Sequence, residues 1–406
     1  MAIAQGISKT VAIKKQTALG TAASGTGGQI LRREQSTNNL KKDTYGNNEI
    51  ASHQQDTGKT HGLRSVDAAL NGVLSAGTYS TVIASVLRKD FTATTALTGL
   101  SITFGGTVGA YTLTGTGFLV TSGFKVGDVI RVTAGTSLPA DILNKNLLIT
   151  ALTNTVITVK TLNNSTITVS GSAIAACTLT LPGKKSIVPT SGHTKDYWTI
   201  EDWQNDISQS EVYSDVVFGK LDIGLPSTGN ATIAIGGAGI NRTNGAVRIL
   251  TTPTAETTSN PLTAINGLLM VNGSAVANIT GLTINIDGKA AGIGAVVGSN
   301  IAPDIQRSTI GVSGSFTAFY QDGTLSTLFD NATQIGLVTV ITDNSTASSE
   351  FVTFSLSNIT LDGDSKDDGD KAIIRTYPFT ARINMAGGAA LANDQTIISV
   401  QDSLAA

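Results

Sequence analysis

The densest group of side chains able to do chemistry is an acidic run near the C-terminus. Carboxylate oxygens are the ligands that Ca²⁺ prefers in proteins. The spacing differs from that of a helix–loop–helix calcium loop, and no glutamate closes the run as a bidentate ligand. We interpret the run as an exposed acidic hairpin loop, with a calcium site and the repulsion of passing nucleic acid as alternatives. Its carboxylates belong to Asp362, Asp364, Asp367, Asp368 and Asp370.

The other reactive side chains do not form a catalytic set. His53, His61 and His193 are scattered in polar segments at spacings that match no metal motif. Gly58–Thr60 mimics the end of a phosphate-binding loop, but His53 stands where that motif needs a glycine. Cys177 lies in an apolar run and is predicted to be a buried thiol. We therefore predict no enzyme activity, no cofactor and no metal.

An aromatic cluster offers one candidate binding site. Tyr197, Trp198 and Trp203 lie close together among acidic neighbours. Such a cluster can bind sugar, or it can pack where two domains meet. The second interpretation is favoured, because the cluster lies where an inserted segment is predicted to rejoin the main body.

Composition favours a β-rich structural protein. The 406 residues include 44 glycines, and only 14% are charged. Threonine and β-branched residues favour strands, whereas glycine, serine and asparagine favour turns. The net charge of −2 lacks the basic excess of proteins that bind nucleic acid tightly. No secretion signal or apolar run of membrane-spanning length is visible.

Two stretches, beginning at Arg64 and Arg307, repeat one pattern of alternating strand, small turn and short amphipathic helix. We infer a duplicated unit, visible in pattern rather than in residue identity. Asp322 is predicted to cap the second helix, and Pro378 indicates an edge or a bulge in a late strand. The apolar helix faces are Tyr79, Val82, Ile83, Val86 and Leu87 in the first unit, and Leu325, Leu328 and Phe329 in the second.

The chain divides into five predicted segments. Residues 1–28 form a polar arm that is flexible or orders only against a partner. Residues 29–94 and 188–253 form the two parts of the first unit, and residues 254–406 form the second. Residues 95–187 are rich in threonine and tight turns, which predicts an inserted β domain.

Six segments together carry a resemblance to a known family: LKKDTY (40–45), EIAS (49–52), GVLSAGTY (72–79), LRKDFT (87–92), VGSNIAPDI (297–305) and DDGDKAIIRTYPF (367–379). They resemble the major tail tube proteins of long, non-contractile-tailed bacteriophages, the siphophages. The similarity covers most of the chain outside about 95–187.

The resemblance implies a mainly β fold, with two tail-tube-type β-sandwich or barrel units, each flanked by a short helix. It implies a structural subunit that polymerises as stacked rings around a lumen and conducts DNA from capsid to host. The duplicated unit favours three chains in a pseudo-sixfold ring, with a true hexamer as the alternative. The inserted domain is expected on the outside of the tube.

The implied partners are other copies of the chain and the tail tip, tape measure and terminator proteins, with DNA only as non-specific passing cargo and no membrane. The expected location is the virion tail, assembled in the host cytoplasm. The alternative class is a β-sandwich adhesin that binds glycans through Tyr197–Trp203. Residues expected at contacts between subunits or rings are Lys41, Lys42, Asp43, Tyr45, Glu49, Asp56 and Lys59.

Overall fold

The computed structural model describes residues 3–50, 52–56, 58–276, 278–367 and 369–405. Strands make up 49% of the structure and helices 6%. The predicted mainly β class, with short flanking helices and a small additional β domain, is confirmed.

The first part of the chain forms four strands and one helix. After a short 3-10 helix at Gly6–Ser8 come β1 (Lys9–Lys15), β2 (Gly25–Ile30), β3 (Gln35–Gly46), β4 (Lys59–Val73) and α1 (Ser80–Leu87). β3 and β4 form a long antiparallel hairpin.

The prediction of a flexible arm at 1–28 is wrong for β1 and for the start of β2. Val11, Ala12 and Ile13 on β1 are at most 2% exposed and belong to the main core. The start of β2 pairs with a later strand, with Gly25 opposite Leu250 and Thr26 opposite Thr252. The short apolar run in β1 outweighs its polar, glycine-rich surroundings, because burying three aliphatic side chains stabilises the strand against the body.

Residues 97–180 close into a six-stranded antiparallel barrel with its own apolar core. Around the barrel the order is β5, β6, β9, β8, β7 and β10, which returns to β5. Its elements are β5 (Leu97–Thr107), β6 (Ala110–Thr114), α2 (Phe118–Thr121), β7 (Val129–Ala134), β8 (Leu147–Leu152), β9 (Val156–Thr161) and β10 (Ile174–Thr180).

The chain then returns to the body. The next strands are β11 (Lys184–Ile187), β12 (Trp198–Gln204), β13 (Gln209–Leu225), β14 (Thr232–Gly239), β15 (Asn241–Gly245) and β16 (Leu250–Thr254). β16 runs parallel to β2 and joins the N-terminal strands to this part of the sheet.

After a second 3-10 helix at Ala264–Asn266, the last part of the chain contains eleven strands and one helix. They are β17 (Leu268–Val271), β18 (Ser274–Ala275), β19 (Ile279–Asp287), β20 (Ala291–Gly292), β21 (Ile305–Gln306), β22 (Gly311–Phe319), α3 (Thr324–Asp330), β23 (Ile335–Thr342), β24 (Phe351–Leu361), β25 (Ser365–Asp367), β26 (Ile374–Ala381) and β27 (Ser399–Asp402).

One arrangement of strands occurs twice around a common core. We call β1, β3, β4, α1 and β12–β15 the first unit, and β17, β19, β22, α3, β23–β27 the second. Six antiparallel pairings of the first unit recur in the second. They are β1·β12, β3·β4, β4·β14, β12·β13, β13·β14 and β13·β15, matched by β17·β23, β19·β22, β22·β26, β23·β24, β24·β26 and β24·β27.

The repeat also extends to residue identity, so the expectation that it shows only in pattern is wrong. Aligning the matched strands puts Val66 on Val312, and each lies opposite an aliphatic residue of the preceding strand. The same alignment puts the sequence GTYSTVI, from residue 77, on GTLSTLF, from residue 323. A direct comparison of the two turn–helix stretches would have found this signal.

Pro378, predicted to mark an edge or a bulge, lies where β26 changes partner from β24 to β25. On one side, β24 pairs with β26 up to Leu361, opposite Phe379, and β25 takes over at Ser365, opposite Thr376. Between them Asp362 donates its backbone N–H to the carbonyl oxygen of Pro378 over 2.8 Å. The missing proline N–H therefore falls at a break in the pairing, where it costs no ladder hydrogen bond.

Candidate functional site

Both units contribute to one continuous antiparallel sheet, which we call the shared sheet. Its order is β3–β4–β14–β13–β19–β22–β26, and the end of β24 together with β25 lies on the far side of β26. The units meet where β13 pairs with β19, from Lys220 opposite Asp287 to Leu225 opposite Leu282. This internal junction makes the two units neighbours in a single wall.

One face of the shared sheet packs on the core, and the other, which we call the open face, does not. Buried Leu70, Ile223, Ile284 and Phe316 lie on the core side. Because side chains alternate along a strand, the residues between them point the other way. The open face is rich in hydroxyl and amide groups, contributed by Gln35, Thr37, Asn39, Asn71, Thr283, Asn285, Ser313, Ser315, Thr317 and Thr380.

Two lysines on the open face are paired with carboxylates. Lys41 Nζ lies 2.8 Å from Asp67 Oδ2 across the β3–β4 ladder, and Lys220 Nζ lies 3.0 Å from Asp222 Oδ2. Asp287 adds a further carboxylate opposite Lys220. The face therefore presents neutral polar groups with a small local excess of negative charge.

The residues predicted at subunit or ring contacts come together on the β3–β4 hairpin. Lys41, Lys42, Asp43 and Tyr45 lie on β3, Lys59 lies on β4, and Glu49 and Asp56 lie in the connecting loop. All seven are exposed. Tyr45 covers Gly62 on the opposite strand, where a β-carbon would come within 2.3 Å of its ring. The structure thus gathers these residues on one projecting element.

The matching connection of the second unit, residues 288–310, folds back onto the first unit. The backbone N–H of Arg64 donates to the carbonyl oxygen of Asn300 over 3.0 Å. Asp304 accepts hydrogen bonds from Tyr197 Oη at 2.7 Å and from Lys195 Nζ at 2.6 Å. Ile305 packs with Val217 and Ile240 in a small separate cluster. This connection therefore strengthens the internal junction outside the strand ladder.

The two helices share a pattern but differ in burial. All five apolar residues of the predicted α1 face are at most 2% exposed. Burial raises the pKa of Tyr79 to about 12, and its hydroxyl donates to the carbonyl oxygen of Arg32 over 2.8 Å. On α3, Leu325, Leu328 and Phe329 are only half-buried. Leu325 and Leu328 line one side of a groove of about 420 Å³.

Asp322 lies one residue before the N-cap of the second helix, which is Gly323 and makes no side-chain cap hydrogen bond, so the predicted N-cap position is wrong by one residue. The Oδ1 of Asp322 accepts a hydrogen bond from the backbone N–H of Thr324 over 2.9 Å. That bond lowers the pKa of Asp322, because it stabilises the charged carboxylate. The backbone N–H of the first residue of α3 is therefore hydrogen-bonded, although the helix remains partly open to solvent.

The three aromatic residues do not form one binding surface. Trp198 is 7% exposed, packs against Phe218 with ring centroids 5.8 Å apart, and donates from Nε1 to Ser85 Oγ on α1 over 3.1 Å. Tyr197 is bonded to Asp304, and the Nε1 of Trp203 lies 3.4 Å from Asn205 Oδ1. The geometry matches the packing interpretation for Trp198.

The acidic run becomes a hairpin around β25. Asp364 forms an ion pair with Arg375, whose guanidinium lies over the ring of Tyr320 at 4.1 Å from its centroid. Asp362 Oδ2 accepts a hydrogen bond from Thr380 Oγ1 over 2.5 Å. Asp368 lies outside the described residues. Within the described residues, no group of three or more histidine, cysteine, aspartate or glutamate side chains could hold a metal ion.

The remaining candidate groups are dispersed. His53, His61 and His193 are exposed, with the first two on the β3–β4 hairpin and the third in the segment before β12. Cys177 is a fully buried free thiol in the barrel core. Burial raises the pKa of that thiol. Over the part of the chain that the structure describes, no helix has the length and apolarity needed to cross a membrane.

Sequence reasoning missed a set of buried charges that tie distant segments together. Lys185 Nζ lies 2.6 Å from Asp128 Oδ1 of the barrel and 2.5 Å from Asp394 Oδ2 of the second unit. Burial raises the pKa of Asp128, whereas the two carboxylates keep the Lys185 ammonium charged. Glu201, fully buried, accepts from the backbone N–H groups of Ile249 and Leu250 at 2.6 and 2.9 Å. Residues so far apart in sequence carry no local signal.

Comparison with known proteins assigns a family. No curated protein matches this chain. The family model described as phage tail tube protein matches residues 6–381, which is nearly the whole chain. That range takes in the first unit, the barrel and the second unit as far as β26, and the mainly β architecture agrees with a tube-forming subunit. The chain belongs to the phage tail tube protein family and is a structural component of the virion tail.

Proposed function

We propose that this protein forms the tail tube of a siphophage as stacked rings, each built from three chains with pseudo-sixfold symmetry. The observation that carries the proposal is the duplicated unit within one shared sheet. Each unit supplies four strand positions to the wall, β3–β4–β14–β13 and β19–β22–β26 followed by β24–β25. Three chains then supply six similar units, as a closed ring requires.

The open face of the shared sheet is the proposed lining of the lumen. DNA must slide past this face without binding, and binding to DNA is dominated by phosphate contacts with lysine and arginine. Hydroxyl and amide groups, with Lys41 and Lys220 each paired to a carboxylate, present little free positive charge. These features support passage of DNA from capsid to host.

The barrel is proposed to lie on the outside of the tube. Val129 and Leu148 of the barrel pack on Val338, Val340 and Phe351 of the second unit. The latter residues lie on β23 and the first half of β24, a part of the fold away from the open face. A barrel attached to this part of the second unit does not obstruct the proposed lumen.

The exposed β3–β4 hairpin is proposed to contact neighbouring chains or rings. At the tube ends and in the lumen, the implied partners are the tail tip, terminator and tape measure proteins. Assembly is proposed to take place in the host cytoplasm.

Electron microscopy of the purified full-length protein, averaged down any tube axis, tests this proposal. We expect hollow stacked rings with three copies of the chain and six similar wall units. A ring with six whole chains would replace the trimer with a true hexamer. Monomers that persist at high protein concentration in the presence of a tail-tip complex would contradict the tube function.

A further inference from the structure

The shared sheet ends in two strand edges that have no partner strand among the residues that the structure describes. Within the described residues, β3 pairs only with β4 along its length. At the other end, β25 pairs only with β26, and β24 beyond Ile359 has lost its neighbour β23. An unpaired edge presents rows of backbone donors and acceptors to another strand.

The internal junction shows how such edges fit together. The second unit's β19 is the counterpart of β3, and the last half of β13 is the counterpart of β24–β25. One edge of β13 pairs with β12 near the start of the strand and with β19 near its end. The matching edge of β24 pairs with β23 as far as Ile359 and, within the described residues, has no partner strand beyond it. The unpaired edge at the end of β24 therefore corresponds to the edge of β13 with which β19 pairs inside the chain.

Register can be transferred from the internal junction to the outer edges. Asn39 and Asn285 correspond because they lie opposite the matched residues Asp67 and Ser313. By the same reasoning Thr37 corresponds to Thr283. The two strands thus present the same side chains at matched positions.

The counterparts on β13 and β25 follow from β14 and β26. Ala234 pairs with Asp222, and its counterpart Thr376 pairs with Ser365. Thr232 pairs with Gly224, and its counterpart Ile374 pairs with Asp367. At the internal junction Asp222 lies opposite Asn285, and Gly224 lies opposite Thr283.

We propose that β25 pairs antiparallel with β3 of a second copy of this chain, with Ser365 opposite Asn39 and Asp367 opposite Thr37. The junction between chains thereby repeats the junction within a chain. This inference rests on the proposed ring and adds the strands, the direction and the register by which it closes.

Charge provides an independent argument. At the internal junction, Lys220 on the β13 side lies opposite Asp287 on the β19 side. In the proposed pairing Lys41 takes the place of Asp287 and comes opposite Gly363, between Asp362 and Asp364. The acidic hairpin thus meets the basic strand, and opposite charges across a ladder favour the pair.

Disulfide trapping in the assembled full-length protein tests the register. Two double variants are in register, Asn39→Cys with Ser365→Cys and Thr37→Cys with Asp367→Cys. Recombining the same four substitutions as Asn39→Cys with Asp367→Cys and Thr37→Cys with Ser365→Cys shifts each pair by two residues. Diagonal neighbours lie about 7–8 Å apart, beyond the usual reach of a disulfide. Cys177 is fully buried and does not compete.

Under mild oxidation we expect both in-register variants to form a covalent ladder that ends at a trimer on a non-reducing gel. The recombined variants should form less than a tenth as much. Rings that cross-link only in the recombined variants, or in none, would overturn the register and leave the tube function standing. Wild-type protein that forms no rings, with no cross-link in any variant, would overturn both.

Discussion

At the scale of single residues, buried carboxylates hold together segments that are far apart in the chain. Asp402, on the last strand, is 1% exposed and accepts the backbone N–H of Gly77 with both of its oxygens at 2.9 Å. The N–H of Leu404 donates to the same carboxylate over 3.0 Å. The C-terminal strand is thereby fixed to the turn before α1, so that the second unit secures the first.

The pH dependence of stability follows from this burial. Loss of hydration raises the pKa of Asp402 to about 6 from 3.8, although the backbone N–H groups oppose the rise. The folded protein then holds a proton that the unfolded chain releases, so the contribution is largest below about pH 4 and is lost as pH rises through about 6. We expect about 3 kcal/mol from this group over that range.

Substitution of Asp402 tests the prediction. Urea unfolding between pH 4 and pH 7 should give a shallower dependence on pH for Asp402→Asn than for the wild type, because the amide does not titrate. Asp67→Asn, on the exposed face, is the control for the chemical change. Equal slopes in the wild type and Asp402→Asn would show that Asp402 does not carry the effect.

At the scale of elements, the two strand–helix pairs are variants of one design. In the first, Tyr79 on the helix side fits over Gly72 on the strand, where a β-carbon would lie 2.1 Å from its Oη. In the second, Leu325 stands where Tyr79 stands and Ala318 where Gly72 stands. The unit with the larger helix residue, Tyr79, has glycine at the strand position, and the unit with the smaller one, Leu325, has alanine there.

This matching predicts coupling between Gly72 and Tyr79. Gly72→Ala alone should destabilise the protein by about 1–3 kcal/mol, because the added methyl displaces the buried Tyr79 ring. Tyr79→Leu alone should also destabilise it, through a lost hydrogen bond and a cavity. The double variant copies the second unit and should be more stable than the sum of the single effects by about 1 kcal/mol or more.

Urea unfolding midpoints of the four proteins in this cycle measure the coupling. Strictly additive free energies would mean that the strand–helix contact does not set the choice of residue. Circular dichroism shows whether each variant retains its strand content before the comparison is made.

Sequence pattern was a good guide to elements that alternate over their full length. The alternating strands predicted after Arg64 and Arg307 fall on β4 and β22, and the predicted helix face from Tyr79 to Leu87 is buried. The pattern failed for β1, whose apolar run is only a few residues long. It also gave no warning that α3 would be half-exposed, because a helix face does not reveal what covers it.

At the scale of the whole molecule, the barrel is an attachment and the shared sheet is continuous without it. The ends of the barrel segment are adjacent, since Thr92 and Lys185 exchange backbone hydrogen bonds of 2.8 and 3.0 Å. Several polar contacts link the barrel to the second unit. Gln401 accepts from the backbone N–H of Val129 at 2.8 Å and donates to its carbonyl oxygen at 2.9 Å. Lys125 Nζ donates to the carbonyl oxygens of residues 388, 389 and 391.

Deleting residues 95–181 and joining the ends with a short Gly–Ser linker should leave ring assembly intact. The deletion exposes the apolar surface of the second unit on which the barrel packs. It is therefore combined with Val338→Thr and Val340→Thr to limit aggregation. We expect electron microscopy to show rings with an unchanged lumen and without an outer projection. Soluble, folded protein that forms no rings would show that the barrel takes part in assembly.

The sequence by itself determined the class of the protein. Its glycine, threonine and β-branched content dictated strands, its two strand–turn–helix stretches indicated a repeat, and its resemblance to tail tube proteins agrees with the family match over residues 6–381. These properties are local or compositional, so each can be recognised without knowing which residues meet in space.

Only the tertiary structure decided how the two units join and what each face presents. Asp222 and Asn285, or Gly77 and Asp402, are far apart in sequence, and no local pattern marks them as partners. Whether an alternating strand turns its polar side to water or to another layer depends on every neighbour in the sheet. The open face and the two unpaired edges are therefore properties of the assembled sheet.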